Sequence, residues 1–252
     1  MKKIIEHLHA EWYKYLLEIL VITIGILGAF ALNNWNENRK VNDQKNQLFK
    51  ELHSRIRSDT TNMKWNLKNL EKAKNSAELL KMIVKNDEPY TQGLDTALAQ
   101  LDLVSSMESD YTAFDRLNSV GIEIIDDDSL KNEIIHYYQD SKSFVDIPIS
   151  LNDLLGELYP KYFTSYHYAQ NAKPADFEQL KNLNEFRIAL DYTVGISSFL
   201  IQRTNHRKVV GAGILKMIEN ESNIDFDAIK SPYQKSAAND STILNRLNLM
   251  ED

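Results

Sequence analysis

The chain contains no cysteine. That excludes disulfides, thiolate metal sites, iron–sulfur clusters and cysteine nucleophiles together. Turn-forming residues are also scarce, with eight Gly and five Pro in 252 residues, which suits long helices better than many short strands. Positive charge is in deficit: 29 Lys and Arg against 36 Asp and Glu leave a net charge of −7. Residues 1–35 hold three Lys (Lys2, Lys3, Lys14) and three Glu (Glu6, Glu11, Glu18), so the whole excess lies further on. An acidic domain lacks the cationic footprint that nucleic acid requires, and no nucleic-acid partner is expected. No HExxH, GxSxG, phosphate-loop or dinucleotide fingerprint occurs in the sequence. No catalysis, bound metal or cofactor is expected.

What the chain does have is one long apolar run, Leu16 to Leu32, broken among polar residues only by Glu18 and Thr23. Trp12, Tyr13 and Tyr15 flank one end and Trp35 the other. A helix rises about 1.5 Å per residue and a bilayer core is roughly 30 Å thick, so the strict run is short. Counted from Tyr13 to Trp35, it suffices. The pattern predicts a transmembrane helix over 15–35 behind a short N-terminal tail, 1–14, with Trp12, Tyr15 and Trp35 as interface anchors. A buried core helix fits less well, because the run is apolar all round. The rival reading is a cleaved secretory signal: Ala29-Phe30-Ala31 fits the cleavage pattern and Lys2, Lys3 and Lys14 a basic leader.

Positive charges before the run (Lys2, Lys3, Lys14) and after it (Arg39, Lys40, Lys45, Lys50) nearly balance. The short leading tail favours a cytoplasmic N-terminus and an extracytoplasmic domain. Glu18, Ile22, Gly25, Ala29 and Leu32 share one helical stripe. Its small-xxx-small pair, Gly25 and Ala29, lets two helices approach closely, so a homo-oligomer or a membrane-protein partner is the expected contact. Glu18 reads more simply as an interfacial carboxylate than as part of an ion path.

The block LLEILVITIGILGAFALNNWNENRK resembles the opening of an uncharacterised bacterial family of single-span membrane proteins, whose members read close to "GEI-LV-IGI-IAL-INNWNE". Glu18, Ile19, Val21, Ile24, Gly25, Ile26, Ala31, Asn33, Asn34, Trp35, Asn36 and Glu37 match. Leu17 and Gly28 depart from the pattern. Tyr111 to Tyr138 is similar, more weakly, to the family's "Y-L-SSG-L-LI-D-LR-L-YY" segment. The resemblance implies an uncleaved anchor in a bacterial inner membrane and an all-α domain; it brings no activity and no catalytic residues.

Beyond the anchor, apolar residues recur at Val41, Leu48, Leu52, Ile56, Met63, Leu67, Leu70, Ala77, Leu80 and Val84, in steps of three, four and seven. That period predicts one long helix from Asn36 to about Asn86, polar and stalk-like at its start. Further helices are expected over Leu94–Ser105, Tyr111–Ser119 closed by Gly121, from the run Asp126-Asp127-Asp128-Ser129 to about Val145, Asn152–Ala172 around Pro160, Pro174–Leu183 and Asn184–Glu219. Ile122 to Ile125 reads as extended. The fold class is all-α: a helical bundle over 36–221, long helices with short ones between, and a loosely packed tail over 222–252.

Four clusters invite chemistry. Glu133 and His136 form an ExxH step, half of what a di-iron bundle needs, and the span separates them from the other such step, Glu6 to His9. Asp126, Asp127 and Asp128 could hold a cation, but helix capping accounts for them. Tyr159, Tyr162, Phe163, Tyr166 and Tyr168 could stack on a sugar or peptide, though their spacing fits one core stripe of a helix. Arg203, His206, Arg207 and Lys208 form the one basic cluster; it could meet an acidic partner or phosphate, and reads more simply as a solvated helix face. The function expected is a membrane-anchored interaction, sensory or scaffold protein. The alternatives are an enzyme whose site is assembled from Glu133, His136 and the tyrosines, or an accessory subunit acting through Glu18.

Overall fold

The structure, a computed structural model, describes residues 2–222 and 224–226, and side chains from Trp12 onward. The described chain is all-α, with seven α-helices and one two-stranded hairpin. The helices are α1 (Lys2–Lys85), α2 (Leu94–Gln100), α3 (Thr112–Val120), α4 (Asp128–Lys142), α5 (Ile149–Tyr162), α6 (Phe177–Asn182) and α7 (Asn184–Glu221). The strands are β1 (Phe163–His167) and β2 (Asn171–Pro174). Two compact units divide between Gln47 and Leu48, and α1 contributes to both.

In the first unit α1 is continuous, with no proline or cap signal to stop it. From Trp12 to Asp43 every side chain is exposed. The expected tail, as far as it is described, and the expected span therefore belong to one helix.

In the second unit the three-four spacing of α1 does what periodicity predicts: Leu48, Leu52, Ile56, Met63, Leu70, Ala77 and Leu80 are fully or almost fully buried. Each buried leucine or isoleucine contributes about 1.5–3 kcal/mol by leaving water. α7 answers with a seam of its own, buried at Thr193, Ser197, Leu200, Thr204, Arg207, Gly211, Ile214 and Ile218 in steps of four and three. Two apolar clusters result. One joins Leu48–Met63 to α3, α4, the end of α7 and Phe226. The other joins Leu70–Leu80 to α2, α5, β2, α6 and the start of α7. Phe226, expected in a loose tail, is buried against His53 at a ring distance of 4.1 Å. The tail from residue 227 lies outside the described residues.

The local chemistry of the helix ends is mostly as expected. Asp127 caps α4, its carboxylate accepting from the Ser129 and Leu130 backbone N–H groups at 2.7 and 3.0 Å. Gly121 closes α3 at φ 107°, where a side chain would be strained, and its N–H donates to the Leu117 carbonyl. Asp176 caps α6.

Three expectations are corrected. Ile122–Ile124 forms a short 3-10 turn, and only Ile125 after it is extended. The helix expected over Asn152–Ala172 ends at Tyr162. Pro160 is tolerated in its last turn, and the aromatic and β-branched residues that follow form β1, antiparallel to β2 with Tyr166 opposite Ala172. Tyr166 and Tyr168 are therefore not on a helical stripe with Tyr159. The third correction, the basic cluster, is set out with the site below.

Candidate functional site

Two features stand out: an uncovered apolar segment in the first unit, and, in the second, a polar network and a separate groove. The apolar segment is long and apolar enough to cross a membrane; its best window has a mean hydropathy of 2.3 and none of it is buried inside the fold. Trp12, Tyr15 and Trp35 are 58%, 49% and 62% exposed. Glu18, Ile22, Gly25 and Ala29 are exposed as well, and their spacing puts them on one side of α1. A Cβ added at Gly25 would meet nothing within 4 Å. The one hydroxyl in the run is satisfied internally, Thr23 Oγ1 donating to the Ile19 carbonyl at 2.7 Å, as an apolar surrounding requires. Beyond the run, Asn33 donates to Glu37 at 3.0 Å and the Arg39 guanidinium lies 6.0 Å from the Trp35 ring.

The basic cluster is not one solvated face. His206 is exposed, but Arg207 is only 3% exposed and points into the bundle. The reason is its place in the buried seam of α7 between Thr204 and Gly211. Its guanidinium donates to the Met107 carbonyl at 3.0 Å and to Ser109 Oγ at 2.5 Å, and lies 5.3 Å from the Tyr137 ring. Across from it the Tyr137 hydroxyl donates to Asp59 Oδ2 at 3.1 Å, and the Ser109 N–H donates to Ser141 Oγ at 3.0 Å. Burial pushes the Asp59 carboxyl above its ordinary value, an effect only partly offset by hydrogen bonds from Ser109 and Tyr137 and by the Arg207 charge. The Tyr137 hydroxyl is raised too, first by burial and then by the Asp59 charge. At the edge of the network Arg55 pairs with Asp110. Burial would raise Asp110, but bonds from Thr112 and the Arg55 charge outweigh it and hold the carboxyl below its usual range. Four segments are tied together: α1, the 104–111 loop, α4 and α7. Asp59 could have been suspected from the sequence, since it stands three residues after Ile56 and four before Met63, at a core position of the repeat. Nothing local marks Ser109 or Ser141.

A second polar group gathers around the tyrosines, which meet through the hairpin rather than along a helix. Tyr159 stacks on Tyr166 at 4.2 Å and its hydroxyl donates to the Leu98 carbonyl at 2.7 Å. Tyr166 donates to Asp102, whose carboxyl is raised by burial despite that bond. Asp95 accepts from Tyr90 at 2.5 Å and from Asn171 at 3.2 Å. Tyr168 stands 56% exposed, and Tyr162 and Phe163 are half-buried.

Glu133 and His136 lie on the exposed side of α4. Among the described residues no three His, Asp or Glu side chains gather as a metal would need. Of the Asp126–Asp128 run, Asp127 is the cap and Asp128 pairs with Lys131 at 2.8 Å.

The groove opens between the end of α1 and the start of α7. It encloses about 780 Å³ and is lined by Glu78, Lys81, Met82, Val84, Lys85, Arg187, Leu190, Asp191 and Val194. The volume falls in the range of small-molecule sites, roughly 300–1,000 Å³. Comparison with protein-family models, with curated proteins and with solved structures gives no match.

Proposed function

We propose that this chain is a single-pass protein of a bacterial inner membrane, anchored by residues 15–35, whose helical domain serves as an interaction, sensory or scaffold module outside the cytoplasm. One observation carries the reading: the most apolar stretch of the chain is wholly uncovered by the rest of the fold. An exposed apolar patch far smaller than this already marks an interaction surface in a soluble protein. A surrounding bilayer removes the cost of exposing it, and the aromatic residues at both ends suit the two interfaces. The likeness of Leu16–Lys40 to a single-span family supports an anchor that is retained. The polar network joins four segments of the bundle by fixed hydrogen bonds, which suits a rigid platform for a partner.

The absence of cysteine gives a clean test. Single substitutions Ile22→Cys, Gly25→Cys and Ala29→Cys on one stripe, and Ile24→Cys off it, are oxidised in intact membranes. The cross-linked species are then captured and identified. A cross-link to a second copy or to a stoichiometric membrane protein from the stripe alone is the expected result. Equal cross-linking from both sides, or none from either with no second protein recovered, contradicts the reading.

A further inference from the structure

The groove between the end of α1 and the start of α7 has a mismatch of charge. Its floor is apolar: Leu190 is 1% exposed, and Val84 and Val194 are half-buried. Its two carboxylates are already engaged, Asp191 by Lys81 at 2.5 Å and Glu78 by Lys74 at 3.9 Å. The remaining cations, Lys85 and Arg187, have no carboxylate within ion-pair distance among the described residues, although the chain as a whole is acidic. Lys85 is in the last turn of α1, where a cation complements the carbonyl end of the helix. Arg187 is placed against that rule. It stands four residues into α7, near the amide end, and adds positive charge to a positive dipole. Its Nε donates to the Lys181 carbonyl at 3.1 Å, which holds the guanidinium in place and leaves its terminal nitrogens unpaired among the described residues. A forked donor fixed at the mouth of an apolar trough suits a two-oxygen anion with a hydrocarbon tail.

We infer that this groove binds a single-chain amphiphile with an anionic head, the head held by Arg187 and Lys85 and the tail lying on Val84, Leu190 and Val194. A neutral amphiphile forfeits the charge-assisted bonds. A short anion without a tail forfeits the apolar floor. The groove lies wholly within the helical domain, so the inference does not depend on the membrane anchor.

The test uses the full chain in phosphatidylcholine nanodiscs and a diazirine-bearing dodecanoate as photolabel, with the labelled peptides mapped by mass spectrometry. Mapping separates a specific site from lipid-like contact along the apolar segment. Label is expected on the peptides carrying residues 78–85 and 187–194, and unlabelled dodecanoate should compete it away. Arg187→Glu or Lys85→Glu should each lower that label at least about tenfold, the equivalent of one charge-assisted bond. Both side chains are exposed, and among the described residues the Lys85 ammonium has no hydrogen bond or ion pair that its loss would break, so Lys85→Glu reports on binding even if Arg187→Glu disturbs the start of α7. Dodecyl phosphate competing as well as dodecanoate would identify the head as any two-oxygen anion; dodecanoate alone would identify a carboxylate. The inference is overturned if label falls only on residues 12–35, if Lys85→Glu leaves it unchanged, or if a diazirine-bearing dodecanol labels the groove equally.

Discussion

Two glycines two residues apart on α7 should respond oppositely to the same change. Gly211 lies in the buried seam, and a Cβ there would stand 3.1 Å from Thr60 Cγ2, 3.2 Å from Tyr137 Cε2 and 3.4 Å from Ile56 Cγ2. Neither of the last two can yield easily. Ile56 and Tyr137 are at most 1% exposed, and Tyr137 is fixed by its bond to Asp59. Gly213 faces outward, and a Cβ there would meet nothing within 4 Å. Alanine is the better helix former by about 0.8–1 kcal/mol, so Gly213→Ala should stabilise by about that amount. At Gly211 the same gain is set against overpacking, which costs about 1–3 kcal/mol. Gly211→Ala should therefore be neutral to about 2 kcal/mol destabilising, and Gly211→Val worse still. The spread between the two alanine variants should be about 1–3 kcal/mol. The assay is urea unfolding of the full chain in neutral detergent, followed by near-ultraviolet circular dichroism, in which the buried Tyr137 and Tyr138 report on the packing of the bundle. If both alanines stabilise equally, α1 and α7 do not approach as closely here as the structure places them.

Removing Arg207 should strike harder. Arg207→Ala removes a positive charge that partly offsets burial at Asp59 and leaves the Met107 carbonyl and Ser109 without their donor, with an expected loss of about 2–4 kcal/mol in the same unfolding assay. Arg207→Lys should recover little of it, since one ammonium cannot reproduce the fork. Asp59 sets a pH dependence. Its folded carboxyl is raised above the ordinary 3.8, so the folded state holds the proton more tightly than the unfolded chain. The stability of the wild type relative to Asp59→Asn should fall as pH rises from the ordinary value through the raised one, then level off; a rise over that window would refute the assignment. His53→Ala removes the stack on Phe226 and the 2.9 Å contact with Glu219, which should cost about 1–3 kcal/mol and make the peptide bonds beside Phe226 easier for protease to reach. Tyr166→Phe deletes the bond that lowers Asp102, whose carboxyl should titrate higher by carbon-13 NMR.

Much of the fold was readable because α1 carries an apolar repeat of three, four and seven with no glycine or proline past Gly28, and because α7 begins at Asn184, where it was expected to begin. The acidic run before α4 and Gly121 after α3 announced helix ends by local chemistry alone. The hairpin was hidden for a physical reason. Tyr159, Tyr162, Phe163 and Tyr166 have helical spacing, and the pairing of β1 with β2 is decided by contacts between residues four to eleven positions apart. The basic cluster misled in a similar way. Arg203, His206, Arg207 and Lys208 look alike in sequence, and the polarity of the seam around Arg207 concealed that it was a seam. Thr193, Ser197 and Thr204 are buried with it. The groove needed α1 and α7 to be brought side by side, which no local signal encodes.

The central claim is that residues 15–35 remain attached and hold the helical domain at a membrane. The direct measurement is the full chain with different tags at its two ends, expressed in a bacterial cell and followed through alkaline carbonate extraction and intact mass. The account predicts that both tags stay together in the membrane pellet at the uncleaved mass. Release of the C-terminal tag into the soluble fraction, with a mass beginning just after Ala31, would contradict it and make the segment a cleaved signal.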